Sequence, residues 1–233
     1  MRSAPQLVLL PVDRQVFRVG HRSGPWAWAG WEFAGTDGRF PGRWDDHRGV
    51  FRTVYTGSTL LGCLLEVLAH FRPDPALMAQ MAGIEDDEAH PTAPAGHVPY
   101  SWLDPREAGS ATLRGTFCDV TATESIAALR PAFIALVHQL GEPDFDAAAL
   151  RRARPRELTQ RVATHLHATT DVAGVRFFSR HGDEVELWAI FEHAGDPRVS
   201  PHLSNLHPVA LSPDHPELVT AFRLHGLTWA EGP

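Results

Sequence analysis

The stretch GRFPGRWDDHRGVFRTVYTGSTLLGCLLEVLAHF, residues 38 to 71, sets three side chains with chemical capacity into apolar surroundings. Arg43 stands between Gly42 and Trp44, and the forked donors of a guanidinium suit a diphosphate. Tyr55, one of two tyrosines in the chain, closes a run that alternates in hydrophobicity, where its ring could stack on a planar cationic ligand. Glu66 lies in a leucine-rich run but on a different helical face, shared with Gly62 and His70 at four-residue spacing. Gly62 removes a side chain one turn earlier, which would leave room for a ligand beside the carboxylate. Each residue also has an ordinary reading: a solvated arginine in a turn, a packing tyrosine, a glutamate facing water.

Farther along, Ser179 lies in FFSRH beside Arg180 and His181, a grouping that invites a hydrolase reading. No G-x-S-x-G elbow surrounds it, and nothing in the sequence places an acid beside His181. The 14 histidines make no metal motif, since His165-x-His167 lacks i, i+4 spacing and neither H-E-x-x-H nor paired C-x-x-C occurs; no metal is expected. Neither G-x-G-x-x-G nor G-x-x-x-x-G-K-[ST] is present, so any nucleotide needs another scaffold.

The elements that must position these residues follow from periodicity. Residues 50 to 55 alternate with Phe51, Thr53 and Tyr55 on one face, which predicts a strand. Ser58 is placed to cap a helix with Leu61, Leu64, Leu65 and Leu68 as its apolar stripe. Residues 112 to 120 read as a strand, Thr121 with Glu124 as a capping box, and Pro131 as the first turn of another helix. Residues 157 to 168 predict a helix, and 174 to 192 a hairpin turning near Gly182-Asp183. Residues 72 to 99, with five prolines and the acidic run Glu85 to Glu88, read as an exposed loop around at most one short helix. The irregular alternation of strands and helices indicates an α+β domain.

The 233 residues suffice for one large domain, and no repeat is visible. A net charge of −7 argues against direct nucleic-acid binding, although a local arginine cluster could hold a small anion. No apolar run is long enough to span a bilayer, and the N-terminus lacks the apolar core of a secretory signal, so a cytoplasmic location is expected. Cys63 and Cys118 are too sparse for a disulfide framework and read as buried thiols.

Taken in order, GRW at 42 to 44, the strand ending in Tyr55, LLE ending at Glu66 and GVRFFSRH at 174 to 181 resemble the RES domain family, named for its arginine, glutamate and serine. Its members are toxins of RES-Xre type toxin-antitoxin pairs, with a fold similar to ADP-ribosyltransferases. The resemblance covers residues 15 to 71 and 157 to 192, and more loosely 112 to 140. It implies a single domain over residues 1 to 233, with a mixed β-sheet core and flanking helices. Residues 72 to 110 would be a variable excursion and 193 to 233 an extension.

The resemblance further implies NAD⁺ as substrate and a cognate antitoxin with a helix-turn-helix domain as partner. Arg43, helped by Arg18 in VFRVG, would grip the diphosphate, and Tyr55 would stack near the nicotinamide. Glu66 would stabilise the cation formed at the ribose. Ser179 would hydrogen-bond the ribose or orient Glu66. The outcome would be NAD⁺ depletion by hydrolysis or phosphorolysis, ADP-ribosylation of a protein, or NAD binding without turnover; a partner-binding module remains a further alternative. Asp45 stands where the family often has asparagine.

Overall fold

Residues 4–22, 24–73, 95–152 and 154–230 are described by the structure, a computed structural model. They form β1 (Leu9–His21), β2 (Thr53–Gly57), α1 (Leu60–Leu68), β3 (His97–Val98), β4 (Arg106–Asp119), α2 (Thr123–Gln139), α3 (Ala147–Arg151), α4 (Glu157–Thr169), β5 (Gly174–Phe178), β6 (Glu186–Phe191), β7 (Leu203–Val209), α5 (Pro216–His225) and β8 (Thr228–Trp229). The acidic run Glu85 to Glu88 lies outside the described residues.

Two long strands organise the sheet. β1 runs antiparallel to β4 from Leu9 opposite Cys118 to His21 opposite Arg106. On its other edge β1 meets β2 at Phe17 opposite Gly57, and β2 pairs with β6, β6 with β5, and β5 in parallel with the end of β4. The strands β1, β2, β6, β5 and β4 thereby close into a ring, with β7 added to β4. Closure removes the free edges that an open sheet would expose.

Alternation within the sheet sorts side chains onto two apolar faces. Val54, Trp188 and Ile190 join Val16, Leu113 and Phe117 on one face, while Val175, Phe177, Leu187 and Phe191 join the helices on the other. β6 is buried along nearly its whole length because both faces are covered, so it reads as a continuous apolar run rather than an alternating one. The result is a mixed α/β architecture built on one main sheet, in agreement with the α+β expectation.

Several local readings change. Thr59, not Ser58, caps α1, its hydroxyl oxygen accepting from the Gly62 N–H at 3.0 Å; the Ser58 hydroxyl donates to Glu186 instead. Thr121 makes no capping box, because its hydroxyl is held by Asp119 at 2.7 Å, and α2 begins without a side-chain cap. Pro131 lies inside α2: Ser125, Leu129, Phe133 and Val137 form a buried stripe on one side and the proline ring sits on the exposed side, so packing carries the helix through it. β4 starts at Arg106, inside the expected excursion, and β1 was not signalled because Asp13, Arg14 and Gln15 interrupt its apolar pattern.

The chain beyond residue 193 is integral to the fold. β7 extends the sheet, and α5 packs against α1 through Leu218, Ala221 and Phe222, all buried. β8 pairs in parallel with β3.

Candidate active site

The GRW segment is a turn held from two sides. The Tyr55 hydroxyl accepts from the Trp44 N–H at 2.8 Å and donates to Asp45 Oδ1 at 2.9 Å, while Asp45 Oδ2 accepts from the Gly42 N–H. Only glycine fits at 42, since a Cβ there would lie 2.4 Å from Asp45 Oδ2 and 2.5 Å from the Tyr55 oxygen. Burial raises Asp45 above the usual carboxylate range, and the hydrogen bonds from Tyr55 and Gly42 pull it back. Burial, with the nearby Asp45 charge, holds the Tyr55 phenol well above its ordinary value, so it remains a donor. Next along the turn, Asp46 accepts from the Val50 N–H at 2.6 Å and from the Thr164 hydroxyl. Gln160, also on α4, donates to the Gly42 carbonyl at 3.0 Å. The buried Trp44 ring packs 5.5 Å from Phe177 on β5.

On the opposite wall, α1 presents Glu66. The Ser179 hydroxyl donates to Glu66 Oε1 and accepts from the His181 backbone N–H at 2.9 Å. With both roles of a fully buried hydroxyl filled, Ser179 orients the carboxylate. A serine nucleophile would have to give its O–H proton to the His181 imidazole, and that proton is already donated to Glu66. Glu66 Oε2 has no hydrogen-bond partner among the described residues.

Between these walls lies a cleft of about 460 Å³ whose lining includes Arg18, Arg43, Tyr55, Glu66, His70, Arg156, Arg180 and His181. Among the described residues, none of Arg18, Arg43, Arg156 and Arg180 lies within 4 Å of a carboxylate. Burial lowers the Arg43 guanidinium from its ordinary value; Glu66 and Tyr55 offset this, and Arg180 and Arg156 reinforce it. Arg18 is lowered chiefly by burial as well; it donates to the Tyr55 carbonyl at 2.9 Å, and its buried Nε has no partner among the described residues. Desolvated, mutually repelling cations of this kind fit an anionic ligand.

Arg43, Tyr55, Glu66 and Arg18 line one cleft, and Ser179 stands directly behind Glu66. Gly62 behaves differently from its sequence reading: it is buried and does not line the cleft, and a Cβ there would press on Val185 at 3.0 Å. It admits the β5–β6 hairpin rather than a ligand. Sequence reasoning missed Arg156, whose position at the start of α4 carries no motif, and gave no role to the Asp45-Asp46 pair, whose adjacency in a glycine-led turn was the available signal. Cys63 is buried and pushed up to about 12, which rules out a thiolate nucleophile near neutral pH. Among the described residues no group of three or more His, Cys, Asp or Glu could hold a metal ion, and no helix is long and apolar enough to cross a membrane.

No curated protein matches the chain. Among solved structures it is similar to a chain of the crystal structure of the M. tuberculosis MbcT-MbcA toxin-antitoxin complex, with 15% identity over 94% of this chain and 92% of that one, and a TM-score of 0.43. The RES domain model matches residues 15–211, a span that contains both walls of the cleft, and the chain therefore belongs to the RES domain family.

Proposed function

We propose that this chain is a toxin-type enzyme that consumes NAD⁺ by breaking the bond between the nicotinamide nitrogen and ribose C1′. The electron pair leaves with nicotinamide and neutralises its ring, and the cation left on the ribose is stabilised by the Glu66 carboxylate. Water adds to C1′ and releases a proton, giving ADP-ribose; inorganic phosphate in place of water gives its phosphate ester. Arg43 and Arg18, with Arg156 and Arg180 beside them, grip the diphosphate, so that binding energy far from the reacting bond fixes the ribose against Glu66. The Tyr55 ring, its hydroxyl anchored, packs beside the nicotinamide. Ser179 positions Glu66 and makes no bond to carbon.

The observation that carries this reading is a carboxylate pinned by Ser179 facing a cleft with arginines free of carboxylate partners among the described residues. On this reading the protein acts in the cytoplasm and an antitoxin holds it in check.

Incubation with NAD⁺ and quantification of nicotinamide test the proposal. Glu66→Gln keeps an acceptor for Ser179 and removes only the charge, so NAD⁺ consumption falls by about 100- to 1,000-fold with the melting temperature nearly unchanged. A Glu66→Gln protein as active as wild type would sink the assignment. Mass spectrometry of the products, with and without phosphate and a protein extract, separates hydrolysis, phosphorolysis and transfer to protein.

A further inference from the structure

The RES match ends at residue 211, yet α5 beyond it reaches the back of the active site. We propose that His225, the last residue of α5, is a positioning residue for Glu66, an inference that rests on the NAD⁺-cleaving reading. The argument begins at the end of α1. The Ala69 N–H bonds to the Glu66 carbonyl, three residues back rather than four, as the helix tightens into a 3-10 turn over Ala69–Phe71. The Leu65 carbonyl thereby loses the i+4 donor that a continuing α-helix would supply. His225 Nε2–H donates to it at 2.8 Å. A carbonyl only accepts, so the proton sits on Nε2 of a buried ring.

The same ring meets the turn that holds Ser179. His225 packs edge-on against His181, ring centres 5.3 Å apart. The His181 backbone N–H in turn donates to the Ser179 hydroxyl that holds Glu66. One side chain therefore fixes the backbone immediately before the carboxylate and braces the turn that orients it. No other described side chain hydrogen-bonds the Leu65 carbonyl. Without that donor, the last turn of α1 is free to relax, and Glu66 moves with it relative to a substrate held mainly by arginines on other elements. The expected signature is a loss in turnover with little change in substrate binding.

Steady-state NAD⁺ cleavage by the full chain tests this with three variants. His225→Leu fills the space without a donor; kcat falls at least about 10-fold and KM stays within about twofold. His225→Gln, which carries an N–H at a similar reach, recovers most of the lost kcat. Phe222→Leu loosens α5 but leaves the donor, so it lowers the melting temperature without lowering kcat, and it remains informative if His225→Leu does not fold. Wild-type kcat in His225→Leu overturns the proposal, as does a kcat in His225→Gln no better than in a folded His225→Leu, or a fall in kcat of about 10-fold or more with Phe222→Leu. Absence of nicotinamide release by wild type defeats the NAD⁺ reading instead, so the two failures are distinct.

Discussion

Arginines in this protein occupy two contrasting settings. On the sheet, Arg176 bridges Asp119 and Glu186, each at 2.9 Å, and Arg52 is held by Glu192. In the cleft, Arg43 and Arg18 have no carboxylate within 4 Å among the described residues. The charged forms respond in opposite directions: the hydrogen bond to Glu192 raises Arg52 above its ordinary value, whereas burial lowers Arg43 and Arg18. A paired guanidinium stabilises the folded chain, while an unpaired one in a cleft retains its binding capacity for a ligand. Substitutions in the two groups should therefore fail in different assays.

The larger stability effect is expected on the sheet. Arg176→Met keeps much of the apolar stem, which lies with its guanidinium carbon 4.1 Å from the centre of the Phe178 ring, but strands the buried carboxylate of Asp119 and the partly buried one of Glu186. A loss of about 2 kcal/mol in urea denaturation is expected, below the range for a fully buried pair because Arg14 and Ser58 still serve Glu186. Michaelis constants for NAD⁺ should not move. Unchanged stability with weakened NAD⁺ binding would erase the distinction between the groups.

Arg43→Ala tests the other side. NAD⁺ binding, measured by calorimetry, weakens about 10- to 30-fold through loss of a charge-assisted contact, while stability holds or rises because a desolvation cost disappears. A fall in stability comparable to that of Arg176→Met, with binding intact, would make Arg43 a structural residue.

How legible each group was in the sequence follows from the range of the interactions that place it. Arg43, Tyr55 and Glu66 lie within one local stretch: a glycine-flanked turn carries Arg43, and strand alternation and helical spacing put Tyr55 on β2 and Glu66 on α1. Ser179 was readable within a hairpin because β5 and β6 are close in sequence. The partners that complete the site are remote: Arg18 lies on a strand whose charged residues obscure its period, Gln160 and Thr164 grip the turn from α4, and His225 arrives after a proline-rich segment. Gly62 shows the limit of local reasoning most directly. Helical spacing groups it with Glu66 and His70, yet it does not line the cleft, and what fills the space beside it is Val185, more than a hundred residues later.

His181 offers the finest separation, because it borders the cleft but makes a charge-dependent contribution to stability. Burial pushes it down to about 4 from an ordinary value of 6.5, with Glu66 opposing and Arg180, His225 and Arg72 reinforcing the shift. Arg72 Nη1 lies 3.3 Å from His181 Nδ1, and since a guanidinium only donates, Nδ1 accepts and the ring is neutral. The unfolded chain takes up this proton near 6.5 and the folded chain only near 4, so the unfolded state binds more protons between those values. The contribution is complete above pH 6.5 and is lost as pH falls through that window toward 4. Replacement by glutamine should reduce the fall in unfolding free energy, measured by urea denaturation, between about pH 7.5 and 5 by about 0.5 kcal/mol, discounted for a half-exposed ring. His47, His70 and His167, each also lowered mainly by burial, keep part of the slope in the variant. An unaltered slope would mean that His181 takes up its proton as readily in the folded chain as in the unfolded one, and that burial in the cleft wall does not disfavour its charged form.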